Sequence, residues 1–137
     1  MFISQANDYA ARSLIYILKN SQYKKIFKTK EVAKKLKISS IFLAKIFQKL
    51  KKKGFISSIR GVKGGIMIIK DAQKITLYDI FKSVDGLPIL RKCVYSNKIC
   101  TLSCNCGMNK FFKKTQNLVE RELKKITIRQ LVRRTIY

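Results

Sequence analysis

Histidine and tryptophan are both absent from this chain of 137 residues, and it has only 7 acidic residues. With no histidine and few carboxylates it has little with which to move protons, so we expect it not to be an enzyme. No apolar run reaches the roughly 20 residues that a membrane-spanning helix needs. The N-terminal stretch lacks the basic leader of a secretory signal peptide. We therefore expect a cytoplasmic protein with no membrane partner and, in that reducing compartment, no structural disulfide.

Positive charge is what the chain has in excess. Its 31 lysines and arginines give a formal net charge of +24. Such a balance predicts a polyanionic partner, and nucleic acid is the leading class. A composition rich in lysine and isoleucine also arises from AT-rich coding, so the charge supports DNA binding only alongside an element that reads DNA.

The first part of the chain predicts a helix–turn–helix. Apolar residues at helical spacing indicate a first helix over 8–20. KTKEVAKKLKIS follows as a short helix with Thr29 as its N-cap, and then comes a tight turn. The next helix starts at a serine cap and ends at Gly54. Its predicted buried face consists of Phe42, Leu43, Ile46, Phe47 and Leu50.

A hairpin and three more helices are predicted after it. The β-prone runs 55–59 and 66–70 flank RGVKGG, a pattern typical of a hairpin, or wing. A short helix capped by Thr76 follows, and the only proline marks a break after it. A longer helix over 108–124 has an apolar face, and a final short helix is capped by Thr127.

A recognition helix followed by a wing suits insertion into the major groove, with the wing tip in the minor groove. Small polar and basic groups reach phosphates and base edges, and an isoleucine contacts a thymine methyl. The candidate DNA-binding residues are Ser39, Ser40, Ile41, Lys45, Arg60 and Lys63.

All four cysteines lie in one loop, at Cys93, Cys100, Cys104 and Cys106. Structural zinc requires four such ligands but usually pairs them in two C-x2–4-C knuckles, a pattern that these gaps do not follow. An iron–sulfur cluster tolerates irregular spacing, and a redox-sensing thiol without metal is a further reading. Spacing alone favours an iron–sulfur cluster and a zinc site about equally.

Several stretches of the chain resemble a known family. They are NDYAARSLIYI (7–17), GFISSIRGVKGG (54–65) within a longer stretch from residue 38, ITLYDIFKSVDG (75–86) and KKITIRQLV (124–132). With the cysteine loop, they make the chain similar to the IscR/NsrR-type regulators of the Rrf2 family. Those proteins are winged-helix dimers in which a cluster controls DNA binding.

The resemblance implies an iron–sulfur cluster, with a four-iron cluster favoured over a two-iron cluster. It assigns the ligands Cys93, Cys100 and Cys106 and leaves Cys104 as an extra thiol. IscR-like members place a histidine three residues after the last cysteine, where this chain has Asn109. NsrR-like members use an aspartate of a TDYA-like motif from the partner subunit, which corresponds here to Asp8 in NDYA. Cys104 is the rival for this fourth position.

Together these features predict a mainly α fold with a small β-hairpin, namely a winged helix-turn-helix plus a long C-terminal dimerisation helix. The predicted domains are 1–86, which binds DNA, and 87–137, which carries the cluster loop and the dimerisation helix. We expect a homodimeric repressor that binds a palindromic operator in double-stranded DNA and controls cluster-assembly genes. The alternatives are a nitric-oxide or redox stress sensor of the same family and, in another class, a zinc-stabilised basic nucleic-acid-binding module.

Overall fold

The computed structural model describes residues 3–96, 100, 102 and 105–135. The chain begins with helices α1 (Gln5–Asn20), α2 (Thr29–Leu36) and α3 (Ser40–Lys52), followed by the antiparallel strands β1 (Ile56–Ile59) and β2 (Gly65–Ile68). Then come α4 (Leu77–Val84), a 3-10 turn at Lys92–Val94, α5 (Gly107–Lys125) and α6 (Ile128–Arg134). The prediction of a mainly helical winged helix-turn-helix with a long C-terminal helix is confirmed.

Short side-chain caps set most of the helix starts. The Ser39 hydroxyl accepts a hydrogen bond from the Phe42 N–H at 3.3 Å, as predicted for the start of α3. Thr76 and Thr127 each form a capping box at the start of α4 and α6, which confirms both predicted caps. Gly54, which follows α3, has a φ of +73°, the left-handed conformation that glycine adopts without strain.

The start of α2 differs from the prediction. Thr29 is the first helical residue, and the N-cap is Lys28, which makes no side-chain capping bond. The preceding residue, Phe27, exchanges two backbone hydrogen bonds of 2.8 Å with Ile66 of β2. Because this pairing keeps the chain extended up to Lys28, a tertiary contact fixes where α2 begins.

The core joins the N-terminal helices, the hairpin and the last helix. Its fully buried side chains include Leu14, Phe27, Val32, Leu43, Leu50, Ile75, Ile80 and Ile128. Thr127 pairs with Thr76 in an isolated bridge, so α6 packs back against the N-terminal half. Phe42, which was predicted to be buried, is instead 36% exposed and lies beside the core, where its ring packs edge-on against Tyr9 at 6.0 Å. Along the described part of the chain, no helix has the length and apolarity to cross a membrane.

Candidate nucleic-acid interface and cysteine pocket

The N-terminal turn of α3 faces solvent. Ile41 is 73% exposed, Lys45 is exposed and Ser40 is half-buried. Ser39 caps the helix through its oxygen, and a hydroxyl that accepts such a bond retains its O–H as a donor. The four α3 residues predicted to contact DNA therefore lie at one end of the helix, where they can reach a duplex.

The wing places Arg60 and Lys63 in one tight turn, where both side chains are exposed. Gly61 takes a φ of +105°, in the left-handed region that disfavours side chains. Gly64 is required for space, because a Cβ there would stand 2.1 Å from the Ile59 carbonyl oxygen. The two glycines give this turn its shape, one through conformation and the other through close approach.

A groove of about 430 Å³ runs between α3 and the wing. Its polar walls are formed by Thr29, Gln48, Lys51, Ser58 and Arg60. Lys51 Nζ lies 2.5 Å from Ser58 Oγ and donates to it, which ties the helix to the wing. Sequence reasoning missed Gln48, although it stands four residues after Ala44 on the same helical face.

The charge of this region has one sign. Between Glu31 and Asp71 the sequence contains 11 lysines and arginines and no acid. This stretch includes the C-terminal part of α2, all of α3 and the whole wing. The face that carries the predicted contacts therefore attracts a polyanion over its full extent.

Cys93, Cys100 and Cys106 line one pocket of about 410 Å³ at the start of α5, and all three are free thiols. Cys93 belongs to the 3-10 turn, and Cys106 is the N-cap of α5, where the helix dipole stabilises negative charge. The remaining wall consists of Arg91, Lys92, Met108, Asn109 and Phe112. Cys104 lies outside the described residues.

This pocket fits an iron–sulfur cluster in the type of its donors. Thiolates are the usual ligands of such clusters, and three thiols line this pocket. Arg91 and Lys92 add positive charge, and the Arg91 guanidinium lies 5.8 Å from the centre of the Phe112 ring. Within the described residues, no three cysteine, aspartate or glutamate side chains are grouped closely enough to hold a metal ion.

Asp8 does not line the cysteine pocket of its own chain. It lies in the first turn of α1, where its carboxylate pairs with the Arg12 guanidinium at 2.9 Å and its side chain is 41% exposed. Asn109 is buried, and its Nδ2 donates to the Cys93 carbonyl oxygen at 2.9 Å. The residue at the histidine position of IscR-like members thus holds the backbone of the cysteine loop.

Helix α5 leaves apolar side chains uncovered. Met108, Phe111 and Leu118 are 60%, 63% and 46% exposed. The two residues that α5 buries are instead amides, Asn109 and Gln116. Large apolar groups repeated along one helix face are typical of a surface that binds another protein chain.

Comparison with known proteins places this geometry in a family. Residues 3–134 match the Rrf2 family model, described as an iron-dependent transcriptional regulator. Protein aau3 of Rhizobium meliloti is 31% identical over 134 residues, which cover 97% of this chain and 86% of that protein.

Two solved structures share the fold from end to end. CymR, described as the global cysteine regulator of B. subtilis, superposes with a TM-score of 0.79 at 20% identity over 99% of each chain. IscR of T. potens superposes with a TM-score of 0.76 at 18% identity, over 97% of this chain and 87% of that one. The family regulates transcription and does not catalyse reactions, so the expectation that this chain is not an enzyme is confirmed. The chain belongs to the Rrf2 family of DNA-binding transcriptional regulators.

Proposed function

We propose that this chain is a homodimeric repressor whose affinity for a palindromic operator is controlled by an iron–sulfur cluster, and that it governs cluster-assembly genes. The observation that carries the proposal is that Cys93, Cys100 and Cys106 line one pocket. The iron dependence of the family supports the same reading. When bound, the cluster would supply a redox-active centre beside the dimer helix.

Cys93, Cys100 and Cys106 are the proposed ligands from one protomer, and Asp8 from the other protomer is the proposed fourth ligand. Asp8 stands outside its own pocket, which agrees with a role across the dimer. Its bond to Arg12 is an exposed ion pair, and such pairs contribute only about 0–1 kcal/mol. Breaking this ion pair would therefore cost little free energy when Asp8 binds the cluster. A four-iron cluster is the favoured type, and Cys104 is the alternative ligand.

The residues around the pocket position the loop that carries the thiols. Asn109 fixes the backbone at Cys93, and Cys106 continues directly into α5. Ligation by Cys93, Cys100 and Cys106 would anchor the cysteine loop to α5. Loss of that ligation would change the placement of the two winged helices relative to each other, and with it the operator affinity.

The DNA-binding roles follow from the exposed face of α3 and the wing. Ser39, Ser40 and Lys45 would contact phosphates and base edges, and Ile41 would contact a thymine methyl. Arg60 and Lys63 would enter the minor groove. Met108, Phe111 and Leu118 form an apolar stripe on α5. In a symmetric dimer this stripe would pack against its copy and place two winged helices on successive turns of a palindromic duplex.

Anaerobic purification tests the cofactor. The protein should be coloured, with visible absorption and matching counts of iron and acid-labile sulfide. A colourless protein with stoichiometric zinc would instead identify a zinc-stabilised module. Footprinting tests the partner, for which we expect one protected palindromic duplex, whereas a preference for RNA would contradict the proposal.

Exchange of single residues tests the ligand set. Asp8→Ala should shorten the lifetime of the cluster in air while leaving the fold intact, because one ligand is lost and no core residue changes. Asn20→Ala, on the same helix, is a control that keeps the wild-type lifetime. If Cys104→Ala abolishes the cluster while Asp8→Ala leaves its lifetime unchanged, Cys104 is the fourth ligand.

A second candidate is a thiol-controlled regulator without a cluster. It is favoured by the three free thiols that line one pocket and by the shared fold with CymR, described as a cysteine regulator. This candidate predicts that iron-free protein binds the operator and that a mild oxidant changes its affinity reversibly. Identical affinity of the oxidised and reduced iron-free protein would rule it out.

A further inference from the structure

Gln116, at the middle of α5, has an exposed fraction of 0%. Its amide accepts from the Leu90 N–H at 3.0 Å and donates to the Pro88 carbonyl at 3.0 Å and to a Glu120 carboxylate oxygen at 3.2 Å. A buried amide is costly unless it is bonded, and a leucine of similar size would leave the Leu90 N–H and the Pro88 carbonyl without their hydrogen-bond partner. The hydrogen bonds of this amide fix residues 88–90 at one position along the helix.

Two further side chains on the same face of α5 hold the rest of this segment. Asn109 Nδ2 donates to the Cys93 carbonyl at 2.9 Å, and Glu120 accepts from the Tyr95 hydroxyl. Asn109, Gln116 and Glu120 are seven and four residues apart, which places them on one helical face. The segment from Pro88 to Tyr95 is therefore fastened to α5 at three points, one of which is the Cys93 carbonyl.

The residues just before this segment are hydrogen-bonded to the DNA-binding unit. The Val84 carbonyl accepts from Lys49 Nζ of α3 at 2.5 Å. The Gly86 carbonyl accepts from Asn7 Nδ2 of α1 at 2.8 Å. Asn7 is 2% exposed and immediately precedes Asp8. One stretch of about a dozen residues thus connects the cysteine pocket to both the recognition helix and the start of α1.

We infer that Gln116 is a positioning residue that couples the state of the cysteine pocket to the placement of α3. Because Gln116 fixes residues 88–90 on α5, a movement of α5 that starts at Cys106, its N-cap, also moves these residues. The movement then passes along the chain to Gly86 and Val84, and from there to α1 and α3. The inference rests on the proposed cluster control and names the side chain that transmits it.

The test measures operator affinity of the same protein with and without its cluster. Chelator-stripped protein and protein reconstituted anaerobically with ferrous iron and sulfide are titrated with the duplex that the wild-type chain selects from a random-sequence pool. The ratio of the two dissociation constants measures the coupling, and coupled sites commonly show about 5- to 150-fold. In Gln116→Leu and Gln116→Met, we expect a ratio within about twofold of one. Their visible spectrum should stay unchanged, because Gln116 does not line the pocket.

Gln73→Leu is the matched control, because it makes the same substitution at an exposed glutamine outside the segment. It should keep the wild-type ratio. A wild-type ratio in both Gln116 variants overturns the inference, and so does joint loss of visible absorption and thermal stability, which would show a merely structural role. A ratio of one in the wild-type chain refutes the proposed cluster control before any variant is compared, so the two failures are distinguishable.

Discussion

Replacement of Gly64 by alanine separates the contribution of the wing to DNA binding from its contribution to folding. A Cβ at this position would meet the Ile59 carbonyl oxygen at 2.1 Å and the Arg60 carbonyl carbon at 2.8 Å. Both atoms belong to the backbone, so no side chain can rotate away and the turn itself must open. Overpacking of this kind typically costs about 1–3 kcal/mol, which denaturant titration measures as a lowered free energy of unfolding.

The opened turn should also misplace both basic side chains at the wing tip, Arg60 and Lys63. Each contact between a basic side chain and a phosphate adds about one unit to the slope of log affinity against log salt. We expect Gly64→Ala to flatten this slope by about two units and to weaken operator binding by about tenfold or more at moderate salt. Fluorescence anisotropy with a labelled operator at several salt concentrations measures both quantities.

Two other glycines provide matched controls. Gly54→Ala strains a φ of +73° with no atom within 4 Å, so it should cost about 1 kcal/mol of stability without changing the salt slope. Gly107→Ala meets open space at the first residue of α5 and should be neutral or slightly stabilising. If Gly64→Ala is destabilised but keeps the wild-type salt slope and affinity, the wing does not contact DNA, and an unchanged stability would refute the steric argument itself.

The remaining predictions concern the loop, helix α5 and the core. Partial desolvation and, after it, the hydrogen bond to Glu120 raise the pKa of the half-exposed Tyr95 from 10.0 to about 12. Because the folded-state pKa lies above the unfolded value, the stability that this bond contributes is complete below pH 10 and is lost as the pH rises towards 12. Tyr95→Phe should remove this pH dependence, and its persistence in the variant would contradict the assignment. Leu118→Asp should halve the mass measured by sedimentation while leaving helicity unchanged, because it places a charge in the apolar stripe. Lys113→Asp, on another face of α5, should remain dimeric. If both variants remain dimeric, the dimer does not form through this stripe. Ile128→Ala should lower the free energy of unfolding by about 2–5 kcal/mol in denaturant titration, because Ile128 is fully buried in the core; a change below 1 kcal/mol would show that α6 contributes little to the core.

Local chemistry was sufficient to predict most of the fold. Thr76 and Thr127 cap helices because their hydroxyls satisfy N–H groups nearby in the sequence, and Gly54 closes α3 because its backbone tolerates a positive φ. Such features depend on a few adjacent residues. The start of α2 was missed because it depends on Phe27 pairing with Ile66, 39 positions away.

The site divides in the same way. The clustering of the cysteines in the sequence identified them as candidate ligands. The glycines of the wing identified Arg60 and Lys63 as candidate DNA contacts. Gln48 could have been predicted from its position on the same helical face as the other contacts. The hydrogen bonds of Gln116 and Asn7 could not have been predicted, because an isolated glutamine or asparagine is normally solvated. Their partners here are backbone carbonyls far along the chain. Which amide is buried is decided only by packing.

The described part of the cysteine loop lies outside the core. Among the described residues from 86 to 106, only Pro88 and Val94 are buried, and neither belongs to the core cluster. The free energy of folding therefore places few demands on the sequence of this loop. Substitutions at its thiols leave the DNA-binding unit and α5 able to fold. A scaffold of this kind can change the chemistry of this loop during evolution while its winged helix is inherited unchanged.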